Sequence, residues 1–174
     1  RFDASFLELP SEILVTTLKH HQKSFSVRGK DGLLPAFLSV ANTDRDPAGH
    51  VRRGNEWVVV GRLEDARFFW DEDRKRTLAS RVDDLKRVTF HKKLGSYLDK
   101  AGRLETLASG ICADVLGRAD LAPHAAEAGR LCKADLATGM VRELTELQGT
   151  MGGIYARENG RPEAVWKAIY YHYL

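Results

Sequence analysis

Residues 131–156 read LCKADLATGMVRELTELQGTMGGIYA and place a cysteine, a lysine and an aspartate within four positions. Upstream, Ala125, Ala128, Leu131, Cys132 and Leu136 recur at helical spacing, which puts Cys132 on an apolar stripe. Lys133 then points to another face, so a thiolate activated by a neighbouring base finds no support in the sequence. Asp135, flanked by Ala134 and Leu136, calls for a partner, because a buried charge must be paired or hydrogen-bonded. Lys100 and Arg103 on the preceding helix are the candidates, with Asp99 and Arg103 as a further pair inside that helix. Gly149, Gly152 and Gly153 lack the spacing of a phosphate-cradling loop and are expected to let two helices approach closely.

The rest of the chain fits a mainly helical protein with a small β portion. "LPSEILVTTLKHHQKSF" predicts a short helix opened by Ser11 and ending near His20. Two β-rich runs follow, 24–28 and 33–41. Gly29-Lys30-Asp31-Gly32 supplies the hairpin turn between them, and Pro35 suits an edge. "ANTDRDPAGH" reads as a loop, and from Gly54 a long helix is expected, with Trp57, Gly61, Ala66, Phe69 and Trp70 on its apolar side. Phe68 and Trp70 are both assigned to core packing. A helix over about 94–117 has Gly117 as its C-cap, a second runs through "LAPHAAEAGRLCKADLATGMVREL", and others start near Gln148 and Pro162. The predicted class is therefore α+β, mainly α: an α/β-hairpin portion with a long connecting helix over 1–79, then a helical bundle over 80–174.

With 174 residues, 43% of them hydrophobic and 29% charged, the chain can bury a core without disulfides or metal. No apolar run approaches the roughly 18–20 residues of a membrane span, and RFDASFLELP lacks the layout of a signal peptide. The start at Arg1 and the stop inside an apolar helical pattern suggest a piece of a longer protein. Cys112 and Cys132 read as free thiols of a reducing cytoplasm. His20 and His21 point about 100° apart on a helix, and His50, His124 and His172 have no partner at ligand spacing, so no metal site is expected.

Charge is unevenly spread. The chain carries +3 overall, but Arg74–Arg103 holds ten Lys and Arg against three Asp, a local +7, which leaves −4 for the remainder. Such a segment is the footprint of contact with a polyanion. The RNA-contact candidates are Arg74, Lys75, Arg76, Arg81, Lys86, Arg87, Lys92 and Lys93, with Arg62 and Arg67 upstream. Arginine suits this task because its planar fork bonds two phosphate oxygens at once. His91, beside Lys92, is expected at a helix start.

Five blocks together resemble the β subunit of bacterial tetrameric glycyl-tRNA synthetase. They are "LPSEILVTTLKHHQKSF", "GNEWVVVGRLEDARFFWDED", "RVDDLKRVTFHKKLGSYLDKAGRL", "LCKADLATGMVRELTELQGTMGGIYA" and the closing "IYYHYL". Gly61 and His91 depart from residues usual in that family. The resemblance implies an internal part of a longer β subunit, itself without an active site, that supports binding of tRNA(Gly) and its aminoacylation. ATP, Mg and glycine activation would belong to a separate α subunit, in a tetramer of two α and two β subunits. The helical half also resembles the HD domain, whose hydrolase members hold a metal with a His-Asp dipeptide. Here Cys132-Lys133 stands in that place, and a protonated lysine offers no lone pair to a cation. Two rival readings are an HD-type metal-dependent phosphohydrolase and a helical adaptor without RNA contact.

Overall fold

The computed structural model describes residues 1–173; Leu174, the end of the second region expected from sequence, lies outside the described residues. Helix dominates, with two small antiparallel hairpins, so the class is α+β, mainly α. No helix among the described residues is long and apolar enough to cross a membrane. The chain forms two compact units, Arg1–Asp71 and one that begins at Glu72.

In the first unit, α1 (Ser11–Thr16) continues as a wider turn over Thr17–His21. Ser11 is its first helical residue rather than its cap, which is Pro10. Strands β1 (Phe25–Arg28) and β2 (Leu33–Leu38) pair antiparallel with Phe25 opposite Leu38 and a bulge between Ser26 and Arg28. Gly32, at φ +137°, turns the chain, and Gly29 N–H bonds its carbonyl at 2.8 Å. Helix α2 (His50–Arg74) begins four residues before the expected Gly54 because Asp46 accepts from the amides of Val51 (3.3 Å) and Arg52 (3.0 Å).

The buried stripe of α2 is Val59, Leu63, Ala66 and Trp70. Ala66 and Trp70 are buried as expected from sequence, but Trp57 is 79% exposed and Phe68 59%, so neither of these belongs to the core. Continuing the stripe by three residues reaches Asp73, which is 5% exposed.

In the second unit a 3-10 segment, Ala79–Arg87, leads into β3 (Thr89–His91) and β4 (Gly95–Ser96), a tight hairpin in a region read from sequence as a plain connector. Helix α3 (Tyr97–Gly110) starts with a capping box: Ser96 Oγ accepts from Asp99 N–H at 3.3 Å, and Asp99 accepts from Ser96 N–H at 2.7 Å. Arg103 therefore does not pair with Asp99. It donates to the Leu94 carbonyl at 3.1 Å and braces the hairpin.

The expected helix through Met140 is broken into α4 (Ala122–Leu131), a 3-10 turn over Ala134–Ala137, and α5 (Gly139–Glu143). Helices α6 (Thr150–Glu158) and α7 (Glu163–Tyr171) close the unit, Pro162 preceding the latter as its N-cap. Leu78, Val82, Leu85, Leu131, Met140, Leu147, Met151, Ile154, Val165 and Ile169 fill the core of this unit.

The break is built around Asp135, 0% exposed. Its partners are not Lys100 or Arg103 but backbone: one carboxylate oxygen accepts from Gly149 N–H (2.5 Å) and Gly152 N–H (3.1 Å) at the start of α6. A helix N-terminus offers amides without intrahelical acceptors, so a carboxylate there satisfies donors as well as the dipole. The other oxygen, Oδ1, is buried without a partner. Burial outweighs the two amides and pushes the Asp135 pKa up from 3.8 to about 6.

Gly153 meets α7 as expected from sequence. A Cβ there would lie 2.4 Å from Tyr170 Cβ and 2.7 Å from its Cα, so only glycine permits this approach.

Gly153→Ala must push α6 and α7 apart, and a loss of roughly 1–3 kcal/mol is expected from overpacking. Gly102→Ala, on α3 with nothing within 4 Å of the added methyl, should instead gain up to about 1 kcal/mol from helix propensity. Urea unfolding of both variants checks the pair, and equal signs would refute the close-approach account. A second expectation concerns pH. The folded state holds a proton on Asp135 that the unfolded chain releases between about pH 4 and pH 6, so this group's contribution to stability falls as pH rises through that window. The slope is about 1.4 kcal/mol per pH unit from this group alone. Asp135→Asn should flatten it, measured as unfolding free energy against pH; an unaltered slope would assign the titration elsewhere.

Candidate nucleic-acid interface

The basic segment is divided by the fold into three groups with different electrostatics. Arg74, Lys75 and Arg76 are exposed, but each has a carboxylate: Glu158 for Arg74 at 3.3 Å, Glu72 for Lys75, and Asp84 for Arg76 at 3.0 Å. Arg76 also donates to the Ser80 carbonyl at 2.8 Å. Such pairs contribute little to stability, yet they lower the charge on offer to a phosphate.

Arg81 is a correction. It is 7% exposed, ion-paired to Asp73 at 3.3 Å and bonded to the carbonyls of Asp73 (2.8 Å) and Ala137 (3.4 Å). A guanidinium committed to those groups inside the unit has no face for RNA. Sequence reading counted its charge without its surroundings.

Lys86, Arg87, Lys92 and Lys93 form the third group. All four are exposed, and none has an ion-pair partner among the described residues. Lys86 and Arg87 end the 3-10 segment, while Lys92 and Lys93 follow β3 at the tip of the hairpin. Arg87 and Lys92 are five residues apart, at most about 18 Å of extended chain. The platform is rigid: Val88 N–H reaches the Leu85 carbonyl (3.1 Å), Tyr97 N–H the Val88 carbonyl (2.8 Å), and Lys93 N–H the His91 Nδ1 (3.2 Å). His91 is thus a strand residue at the turn, not the start of a helix. The Phe90 and Tyr97 rings meet edge to face at 5.3 Å beneath the tip.

Of the upstream arginines, Arg62 is exposed on α2, and Arg67 lies with its guanidinium 4.4 Å over the Phe6 ring in the first unit. The chemistry available to the free cluster is anion binding. Cys132 adds no nucleophile: its thiol donates to the Gly129 carbonyl at 3.2 Å, and burial pushes its pKa up, which keeps it protonated. Among the described residues no group of three or more His, Cys, Asp or Glu is placed to hold a metal ion.

Sequence reading missed Asp73. Its carboxylate accepts from Gly139 N–H (2.9 Å), Met140 N–H (2.8 Å) and the Tyr155 hydroxyl (3.1 Å), and faces Arg81. Burial and this neighbouring negative charge push the Tyr155 pKa up, so the phenol stays a donor. A signal existed: Asp73 continues the spacing 59, 63, 66, 70 of the apolar stripe, and an acid in phase with a buried stripe is a buried acid.

Comparison with known proteins agrees along the chain. Residues 1–174 match the family described as glycyl-tRNA synthetase beta subunit. The glycine–tRNA ligase beta subunit of Phenylobacterium zucineum (strain HLK1) is 46% identical over 174 residues, covering 98% of this chain and 26% of that protein. The proteins of the same name from Clostridioides difficile (strain 630) and Solidesulfovibrio magneticus are 46% and 45% identical, with 99% and 100% of this chain covered. The chain spans about a quarter of the length of these relatives. It belongs to the glycyl-tRNA synthetase β-subunit family.

Proposed function

We propose that this chain is the part of a glycine–tRNA ligase β subunit that helps to hold tRNA(Gly), through the cluster of Lys86, Arg87, Lys92 and Lys93. The observation that carries the reading is four exposed cations without carboxylates on one braced hairpin and the turn before it, in a chain of this family. Phosphate contacts of this kind position an RNA without reading its sequence. In this reading the segment contains no active site. Glycine activation with ATP and Mg belongs to a separate α subunit, the assembly is a tetramer of two α and two β subunits, and the working compartment is the cytoplasm.

The test is made in the complete enzyme. Replacing Lys86, Arg87, Lys92 and Lys93 by alanine should weaken tRNA(Gly) binding about ten- to a hundredfold at low salt, and lower the slope of log affinity against log salt by up to about four. Replacing Arg74, Lys75 and Arg76 should change that slope less, because their charges are already met by Glu158, Glu72 and Asp84. Equal effects of the two sets, or unchanged affinity in the first, would remove the proposal. Filter binding or anisotropy over a salt series reads both.

A further inference from the structure

A groove of about 490 Å3 lies in the second unit, outside the basic hairpin tip. Its walls come from α3, α4, the Cys132-Lys133 turn and α7, and most of its lining is small and apolar, including Leu104, Ala108, Ala125 and Ala128. Two lysines, Lys100 and Lys133, also line it.

Neither lysine has an ion-pair partner among the described residues. Lys133 is 5% exposed and donates to His172 Nε2 (2.7 Å) and the Tyr173 hydroxyl (2.6 Å). Both acceptors are neutral. His172 Nδ1 gives its hydrogen to the Ile169 carbonyl (2.6 Å), which leaves Nε2 as the bare nitrogen, and burial holds its pKa down. The Tyr173 oxygen also accepts from Gln148 Nε2 at 2.6 Å. An ammonium has three donors; beyond these two bonds Lys133 Nζ lies 3.9 Å from the Tyr173 ring centroid, and it meets no anionic acceptor among the described residues.

Lys100 rests on ring faces, 3.8 Å from the Phe90 centroid and 5.7 Å from that of Tyr97, with no carboxylate. Asp135, close enough to act on Lys133 through its field, directs its carboxylate to the α6 amides and makes no ion pair with it. Burial lowers the pKa of both lysines, and the charge of Lys133 lowers that of Lys100 further. A charge withdrawn from water requires a counter-charge.

We propose that the groove binds a small carboxylate with a short aliphatic body, its head on the Lys133 and Lys100 ammoniums and its chain along the alanine-lined wall. One negative group relieves the repulsion between the lysines and supplies the anionic acceptor that Lys133 lacks. The apolar lining favours a ligand with a hydrocarbon part over a bare anion, and the volume falls in the range of small-molecule sites. This inference does not rest on tRNA contact.

The full-length subunit, assembled with its partner, is titrated calorimetrically with hexanoate, 1-hexanol and inorganic phosphate. Hexanoate should bind at least about tenfold more tightly than either of the others, since only it meets both the charge and the apolar wall. Lys100→Gln, on a partly exposed residue, should weaken hexanoate about tenfold in a protein that stays folded at the titration temperature, as circular dichroism checks. Ala125→Trp should abolish hexanoate binding by filling the groove. The proposal is overturned by absent hexanoate binding, by equal affinity for hexanol or phosphate, or by a Lys100→Gln variant that binds as tightly as the parent. None of these outcomes bears on the salt dependence of tRNA binding.

Discussion

The Asp73 carboxylate is the interaction on which the second unit depends. It ends a helix whose upstream stripe is apolar, and it collects two backbone amides at the start of α5, the Tyr155 hydroxyl of α6 and the Arg81 guanidinium. Two segments distant in sequence, and the nearby Arg81, are thereby fixed to one point. A buried ion pair contributes little by itself, since desolvation offsets attraction, but removing one partner strands the other at a cost of about 3–5 kcal/mol. Arg81 accordingly serves the geometry of the segment that carries the exposed cations. Because it also donates to the Ala137 carbonyl, the basic 3-10 segment is tied to the turn that contains Asp135.

Asp135 solves a different problem with the same chemistry. The chain between Leu131 and Thr150 bends repeatedly in short helical pieces, and each bend leaves amides without acceptors. Asp135 meets two of them, and Thr138 meets a third by accepting from Val141 N–H at 3.2 Å. The arrangement carries a residual cost in the unpartnered Oδ1. Glycine at 152 is part of the same solution, since a Cβ there would lie 3.2 Å from the Asp135 carboxylate and 2.9 Å from Ile169. The stretch 131–156 is therefore a folded junction in which Asp135 and Thr138 cap helix starts. Its thiol and carboxylate are both structural.

Local features of the sequence were legible where one physical cause dominates. The first hairpin follows from its turn glycines, the core place of Cys132 from helical spacing, and the contact at Gly153 from the lack of any other use for three clustered glycines. On α2 the sequence places Ala66 and Trp70 inside, as the structure does, but Trp57 and Phe68 are large apolar residues that the fold leaves outside. Whether a helical stripe faces inward is decided by tertiary partners, which periodicity alone does not contain. The basic segment shows the same limit. Sequence gives ten cations as one number, and only the fold separates Arg81, paired inside, from Lys92 at a hairpin tip. The β3–β4 hairpin was hidden for a related reason: strands of three and two residues carry too few positions for alternation to register.

Lys100 belongs to both electropositive features of the unit. Its ammonium lies over Phe90, a residue of the hairpin that carries Lys92 and Lys93, and it also lines the groove. A cation over a ring face at this depth contributes about 0.5–2 kcal/mol, the larger value applying where water is excluded. Partial burial, with the charge of Lys133, lowers its pKa, so the contact that steadies the hairpin is made by a charge in an unfavourable environment. The capping box of Ser96 and Asp99 and the Arg103 bond to Leu94 brace the hairpin independently. That redundancy separates two roles. The hairpin keeps its shape through backbone hydrogen bonds, and Lys100 is left as a charge whose natural complement is an anion.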